Sequence, residues 1–167
     1  MAAGSSVGQK SIRLVPIGVA HSPYTDPDEI HPLRSRSTKG TIEIFPEFAL
    51  GLKDIGGFSH LYIIWAFHLS VGYKLLTSPL LASRPKRGVF ATRSPHRPNP
   101  IAVTVVKLLV RRGRILEVKG LDMIDCTPVL DIKPYTLRDR KSIIRIGWLK
   151  ELESSSRKKE ILEADGP

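Results

Sequence analysis

Short β-branched and apolar runs recur along this chain, and glycine, proline or charge interrupts each before it can lengthen. That punctuation constrains the fold most, because helices need longer periodic stretches and a parallel sheet needs helices between its strands. Residues 12–20 (IRLVPIGVA) read as a first strand, with Pro16 at an edge or bulge because proline cannot donate to a ladder. Residues 21–39 hold three prolines and read as a long loop, and residues 41–45 as a second strand. Residues 46–52 read as one or two helical turns opened by Pro46 and Glu47. After Gly56-Gly57, residues 58–69 (FSHLYIIWAFHL) read as a buried strand. Residues 71–85 read as a loop with a helical turn, and residues 88–92 as a short strand. Residues 101–110 and 114–119 form a hairpin about Arg111-Arg112-Gly113. Residues 121–132 and 142–149 supply the last strands, and residues 151–164 a charged peripheral helix. Such a series fits a mainly β protein, a barrel or a sandwich. One domain over residues 11–150 is expected, with a flexible tail at 1–10 and a peripheral helix and tail at 151–167.

Charge is concentrated rather than spread. The formal charge is +10, and no Asp or Glu occurs between Asp54 and Glu117. That stretch carries Lys74, Arg84, Lys86, Arg87, Arg93, Arg97, Lys107, Arg111, Arg112 and Arg114. A local positive field of this kind attracts polyanions, of which nucleic acid is the commonest; a solvated basic face is the plainer reading. No uncharged apolar run approaches the roughly 20 residues that span a bilayer. Residues 1–10 lack the apolar core of a secretion signal, so a cytoplasmic setting is expected. The single cysteine, Cys126, excludes an internal disulfide framework and argues against a cysteine-built metal centre, so no metal is expected.

Three segments carry chemistry. In GVFATRSPHRPNP (88–100), Pro95, Pro98 and Pro100 fix backbone angles and hold Arg93, His96 and Arg97 on a stiff loop. Guanidinium groups so held can grip a carboxylate or phosphate, although solvated surface arginines would look the same. In LDMIDCTPVLDIKPY (121–135), Asp125 and Asp131 flank a Thr-Pro turn in apolar surroundings and need donors or a cation. The simpler reading is an Asx-type turn in which Asp125 caps the Thr127 region, with Cys126 as a small packing residue. In residues 58–68, His60 and His68 read as core histidines, without the neighbours of a metal site. No GxGxxG follows a strand, and no P-loop, nucleophile elbow or HExxH occurs.

The stretches IGVAHSPY, GFSHLYIIWAFH, GVFATRSPHRPNPIA and LDMIDCTPVLDIKPY together resemble the TrmO family, also described as YaeB-like or TsaA-like. They occur in the family's order and cover most of residues 12–135. The resemblance implies a single-sheeted antiparallel β-barrel with a few peripheral helices, not a Rossmann sheet. It implies S-adenosyl-L-methionine (SAM) as cofactor, S-adenosylhomocysteine as product, and a homodimer with the cofactor site near the interface. The implied reaction methylates N6 of threonylcarbamoyl-adenosine at tRNA position 37.

Carried over position by position, the resemblance puts Arg93, His68, Leu69, Val103 and the turn Asp125, Cys126, Thr127 and Pro128 at the cofactor. Pro32, Leu33 and Arg34 align more loosely with a family cofactor-binding loop. Arg97 and Lys133 would face tRNA phosphate, and Tyr135 would stack on a base; no residue stands out as a general base. Cys126 and Ala102 replace glycines usual in the family, which predicts an altered local backbone if either glycine needs positive φ. The chain ends soon after the barrel, as in the shorter archaeal-type form. The alternatives are a non-catalytic SAM- or RNA-binding barrel and a SAM-dependent methyltransferase acting on another substrate.

Overall fold

The computed structural model describes residues 11–30, 35–78 and 85–150. It divides the chain into two units, residues 1–135 and 136–167. The first holds all eight described strands: β1 (Gly18–His21), β2 (Lys39–Ile44), β3 (His60–Ala66), β4 (Leu76–Thr77), β5 (Arg87–Gly88), β6 (Ile101–Arg112), β7 (Ile115–Lys119) and β8 (Thr127–Pro134). Six of them close an antiparallel barrel in the order β1-β2-β7-β6-β3-β8, while β4 and β5 form a separate two-stranded ribbon. The described helical segments of this unit are 3-10 turns.

Alternation builds the core. Leu61, Ile63 and Trp65 of β3, Val106 and Leu108 of β6, Leu116 and Val118 of β7, and Ile42 and Ile44 of β2 point inward and are buried. The twelve residues of β6 serve two neighbours: the first half pairs with β3, and the second, after a register shift between Leu108 and Val110, pairs with β7. A second shift, between Ile64 and Trp65, lies where β3 meets β8. Such bulges bend strands and let a sheet of so few strands close on itself.

The antiparallel order sends specific strand ends to one mouth of the barrel. Ala20 of β1 pairs with Thr127 of β8, Lys39 of β2 with Lys119 of β7, and Ala66 of β3 with Ile101 of β6. The segments after His21, before Lys39, after Ala66, before Ile101 and between Lys119 and Thr127 therefore gather there. Gly40 permits this closeness, since a Cβ there would meet His21 O at 2.3 Å and Leu121 Cδ1 at 2.5 Å.

Several sequence expectations are corrected. The first strand begins at Gly18 rather than residue 12, and Ile12, Leu14 and Val15 are exposed ahead of Pro16. Residues 89–91 form a 3-10 turn closed by Thr92 N to Val89 O at 3.1 Å; only Arg87–Gly88 pairs, with β4. Residues 121–126 are not strand: Leu121 and Met123 are fully buried, and left-handed φ at Gly120 (103°) and Cys126 (60°) breaks the ladder. In the second unit, residues 142–149 contain the 3-10 turn Gly147–Leu149 instead of strands, with Gly147 at φ 59°. The same unit holds a capping box in which Asp139 accepts from Thr136 N and Oγ1 at 2.7 and 2.8 Å. The helix expected at 151–164 lies outside the described residues.

Candidate functional site

The turn between β7 and β8 is latched to the end of β1. Asp125 N donates to Tyr24 O at 2.7 Å, and Ser22 Oγ donates to Met123 O at 2.7 Å. Asp125 Oδ1 accepts from His21 Nδ1 at 3.1 Å and from Ser22 N at 3.2 Å, while Cys126 Sγ lies 3.4 Å from Oδ2. Thr127, fully buried, donates instead to Ile124 O at 2.8 Å. The local Asx cap expected of Asp125 is therefore replaced by contacts from the far end of the sequence. Burial pushes the Asp125 carboxyl upward, but the hydrogen bonds from Cys126, His21 and Ser22 outweigh it and hold its pKa below the usual value.

Cys126 is exposed, so the packing role expected of it does not hold. It keeps φ at 60°, so the turn retains a left-handed conformation without a glycine. Ala102 sits in ordinary strand pairing with Trp65, and nothing at that position requires positive φ. The hydrogen bond to Asp125 and that carboxylate's charge raise the Cys126 pKa, which lowers its thiolate character. Donor atoms of His21, Asp125 and Cys126 lie within 4.8 Å of one another. All three are committed to the hydrogen bonds that latch the turn.

The proline-rich loop comes to the same mouth and is fastened to the segment after β3. Phe67 N donates to Pro100 O at 2.8 Å, Ser70 Oγ to Pro95 O at 3.0 Å, and Lys74 N to His96 O at 3.3 Å. Arg97 Nη1 reaches Thr92 O at 3.4 Å, and Arg93 is exposed. His68 and Leu69 are exposed beside this loop, so His68 is not a core histidine. Between loop and turn stands a polar chain that sequence reasoning passed over. Trp65 Nε1 donates to Thr104 Oγ1 at 2.9 Å, and Thr104 Oγ1 donates to Asp122 Oδ1 at 2.5 Å. Burial raises the Asp122 pKa against the Thr104 hydrogen bond and the charge of Arg93. The available signal was Thr104 itself, a polar residue at an inward position of an apolar strand.

Arg93, His68, Leu69, Arg97 and the turn Asp125–Pro128 are thus brought to one mouth. Val103 lies near it but faces outward, 47% exposed on β6. Lys133 and Tyr135 are not brought there, since they lie beyond Thr127 along β8 by roughly 20 and 26 Å. Lys133 Nζ pairs with Asp131 at 2.6 Å, and Tyr135 packs against Tyr62 and His60 with ring centroids 5.4 and 6.3 Å away. Pro32, Leu33 and Arg34 lie outside the described residues.

The basic stretch also divides. Arg111 donates to Leu52 O, Arg112 to Glu117 and Arg114 to Glu43 and Ile44 O, all at the opposite end from the mouth. Their side chains are engaged with that end of the barrel, while Arg93 and Arg97 stand on the loop at the mouth, where Lys39 and Lys119 also pair.

Residues 19–139 match the sequence model of the tRNA-methyltransferase O N-terminal domain. The chain belongs to the TrmO family. A probable S-adenosyl-L-methionine-binding protein of Pyrococcus abyssi is 47% identical over 140 residues, covering 81% of this chain and 75% of that one. The tRNA (adenine(37)-N6)-methyltransferase of Escherichia coli is 35% identical over 136 residues, covering 75% of this chain and 58% of that enzyme. A crystal structure of TrmO superposes with a TM-score of 0.70 at 35% identity, covering 83% of this chain and 64% of that chain. This TrmO-family barrel therefore spans most of the Pyrococcus relative but less than two thirds of the bacterial ones.

Proposed function

We propose that this TrmO-family chain is a SAM-dependent tRNA methyltransferase acting on N6 of adenosine at position 37, with threonylcarbamoyl-adenosine as the acceptor. The observation that carries the reading is the gathering of the proline-rich loop that bears Arg93 and the Asp125–Pro128 turn at one barrel mouth. The donor set fits such a cofactor. Arg93 is an exposed guanidinium able to hold a carboxylate or ribose-side group. Asp125, held ionised by its donors, presents negative charge suited to a sulfonium cation, together with the carbonyls of the turn. Bound there, SAM supplies an electrophilic methyl carbon.

The chain's own contribution is alignment. A loop fastened by Phe67, Ser70 and Lys74 and a turn latched by His21 and Ser22 keep both walls of the site in place, which favours a near-attack arrangement. Arg93 and the Asp125–Pro128 turn would hold the cofactor, which would supply the methyl group to an acceptor N6 aligned against it, and solvent would take the N6 proton. Arg97 faces the incoming tRNA phosphate, with Lys133 and Tyr135 meeting RNA farther along β8. The protein acts as a cytoplasmic homodimer with the site near the interface. Val103 and Val105, exposed at 47% and 43%, are neighbouring outward residues of β6 before Lys107, and they support this because Val103 reaches a ligand only from outside the barrel.

The test is incubation with methyl-labelled SAM and tRNA carrying threonylcarbamoyl-adenosine. Label that enters RNA and is released by RNase supports the reading. Binding without transfer would point to a non-catalytic barrel, and label in an RNase-resistant fraction to another substrate. Light scattering should give twice the chain mass, and Val105→Lys should give the monomer.

A further inference from the structure

At the mouth, Asp122 has incomplete bonding among the described residues. Tryptophan's indole nitrogen can only donate, so Trp65 occupies Thr104 as a donor and leaves the Thr104 hydroxyl hydrogen free for Asp122 Oδ1. The carboxylate is thereby fixed in orientation. Apart from Thr104 and its own backbone N–H, it has no hydrogen-bond donor among the described residues, and no cation at ion-pair distance. A half-buried carboxylate left this way has acceptor capacity that a docking cationic donor would fill. Arg93 is its complement, an exposed cation on the loop fastened to the same mouth by Phe67, Ser70 and Lys74. Its charge favours an ionised Asp122, yet it makes no hydrogen bond or ion pair among the described residues. Asp125, the other carboxylate of the turn, is already engaged by His21, Ser22 and Cys126.

A free cation beside a free anion suits a zwitterion. We infer that Asp122 and Arg93 together clamp the α-amino acid end of the cofactor, Asp122 accepting from the α-ammonium and Arg93 holding the α-carboxylate. This rests on the SAM-binding reading and adds to it a residue and a selectivity: ligands that keep the nucleoside but lack the amino acid end should bind poorly. Thr104 and Trp65 act as positioning residues behind Asp122.

Calorimetry on the full chain tests it with S-adenosylhomocysteine, its deaminated analogue and 5′-methylthioadenosine. Wild type should favour S-adenosylhomocysteine over the deaminated analogue by about tenfold or more, the weight of a charge-assisted hydrogen bond. Asp122→Asn should erase that preference while leaving methylthioadenosine affinity within about twofold, and Thr104→Val should reduce it partly. Equal binding of the first two ligands by wild type would overturn the inference without any variant having to fold. So would an Asp122→Asn protein that loses all three ligands alike, since that marks a merely structural role. A wild type that binds none of them would instead remove the SAM reading, and this clamp with it.

Discussion

His21 Nδ1 and Asp125 Oδ1 lie 3.1 Å apart, joining the end of β1 to the turn that leads into β8 across 104 residues of sequence. The contact closes the mouth of the barrel on the side of the candidate cofactor turn. It also makes the turn sensitive to pH. Asp125 has a folded-state pKa below its ordinary value, so its contribution to stability is present above that ordinary value and is lost as pH falls through the folded one. Urea titrations across the acid range should show Asp125→Asn less stable than wild type near neutrality, the difference disappearing at the acid end. A constant difference at every pH would detach the carboxylate's charge from the latch.

Cys126 occupies a backbone conformation that glycine adopts freely and other L-residues do not. Cys126→Gly should therefore stabilise the protein by about 1 kcal/mol, read as a shift in the denaturation midpoint. The thiol should also alkylate slowly at neutral pH, because the neighbouring carboxylate raises its pKa. Replacing that carboxylate in Asp125→Asn should speed the reaction with iodoacetamide. A rate that stays the same would mean that the Cys126–Asp125 contact is not formed in solution.

Most of the barrel was legible because inward residues alternate. HLYIIWA reads directly as β3 with Leu61, Ile63 and Trp65 inside. The stiff loop was legible from its prolines, and Arg93 with it. Residues 121–126 were not, for a physical reason. LDMID alternates as a strand does, but Leu121 and Met123 plug the mouth from a turn whose left-handed end falls on a cysteine, where no glycine signals it. Asp122 was hidden by the same alternation, which makes a polar residue look solvent-facing. Its partner Thr104 lies on β6 and meets it through a side-chain hydrogen bond formed in the folded barrel. The β-branched run at residues 143–146 misled similarly, since Ile143 and Ile144 are exposed at 88% and 70% and lie outside any described strand.

Asp122 provides a prediction of opposite sign to that of Asp125. Burial raises its folded-state pKa, so the stability linked to its protonated form is fully present below the unfolded pKa and is lost as pH rises through the folded one. Asp122→Asn lacks this ionisation. Its stability relative to wild type should therefore improve from acid toward neutral pH, whatever the absolute offset from the altered Thr104 contact. Thermal melts at a series of pH values give the slope. A slope of the other sign would show that the carboxylate is held by a cation in the free protein.

Arg93 and Arg97 share the stiff loop but should fail differently. Arg93→Ala should abolish SAM binding by calorimetry while the circular dichroism spectrum stays unchanged, because Arg93 makes no hydrogen bond among the described residues that supports the fold. Arg97→Ala should instead weaken tRNA binding and reduce the slope of log affinity against log salt by about one, as expected for one lost phosphate contact. Lys133→Ala should change that slope much less, since Asp131 at 2.6 Å already offsets the lysine's charge. Equal slopes for wild type and Arg97→Ala would place the tRNA backbone away from the proline-rich loop, and a larger effect from Lys133 would move the footprint to the far end of β8.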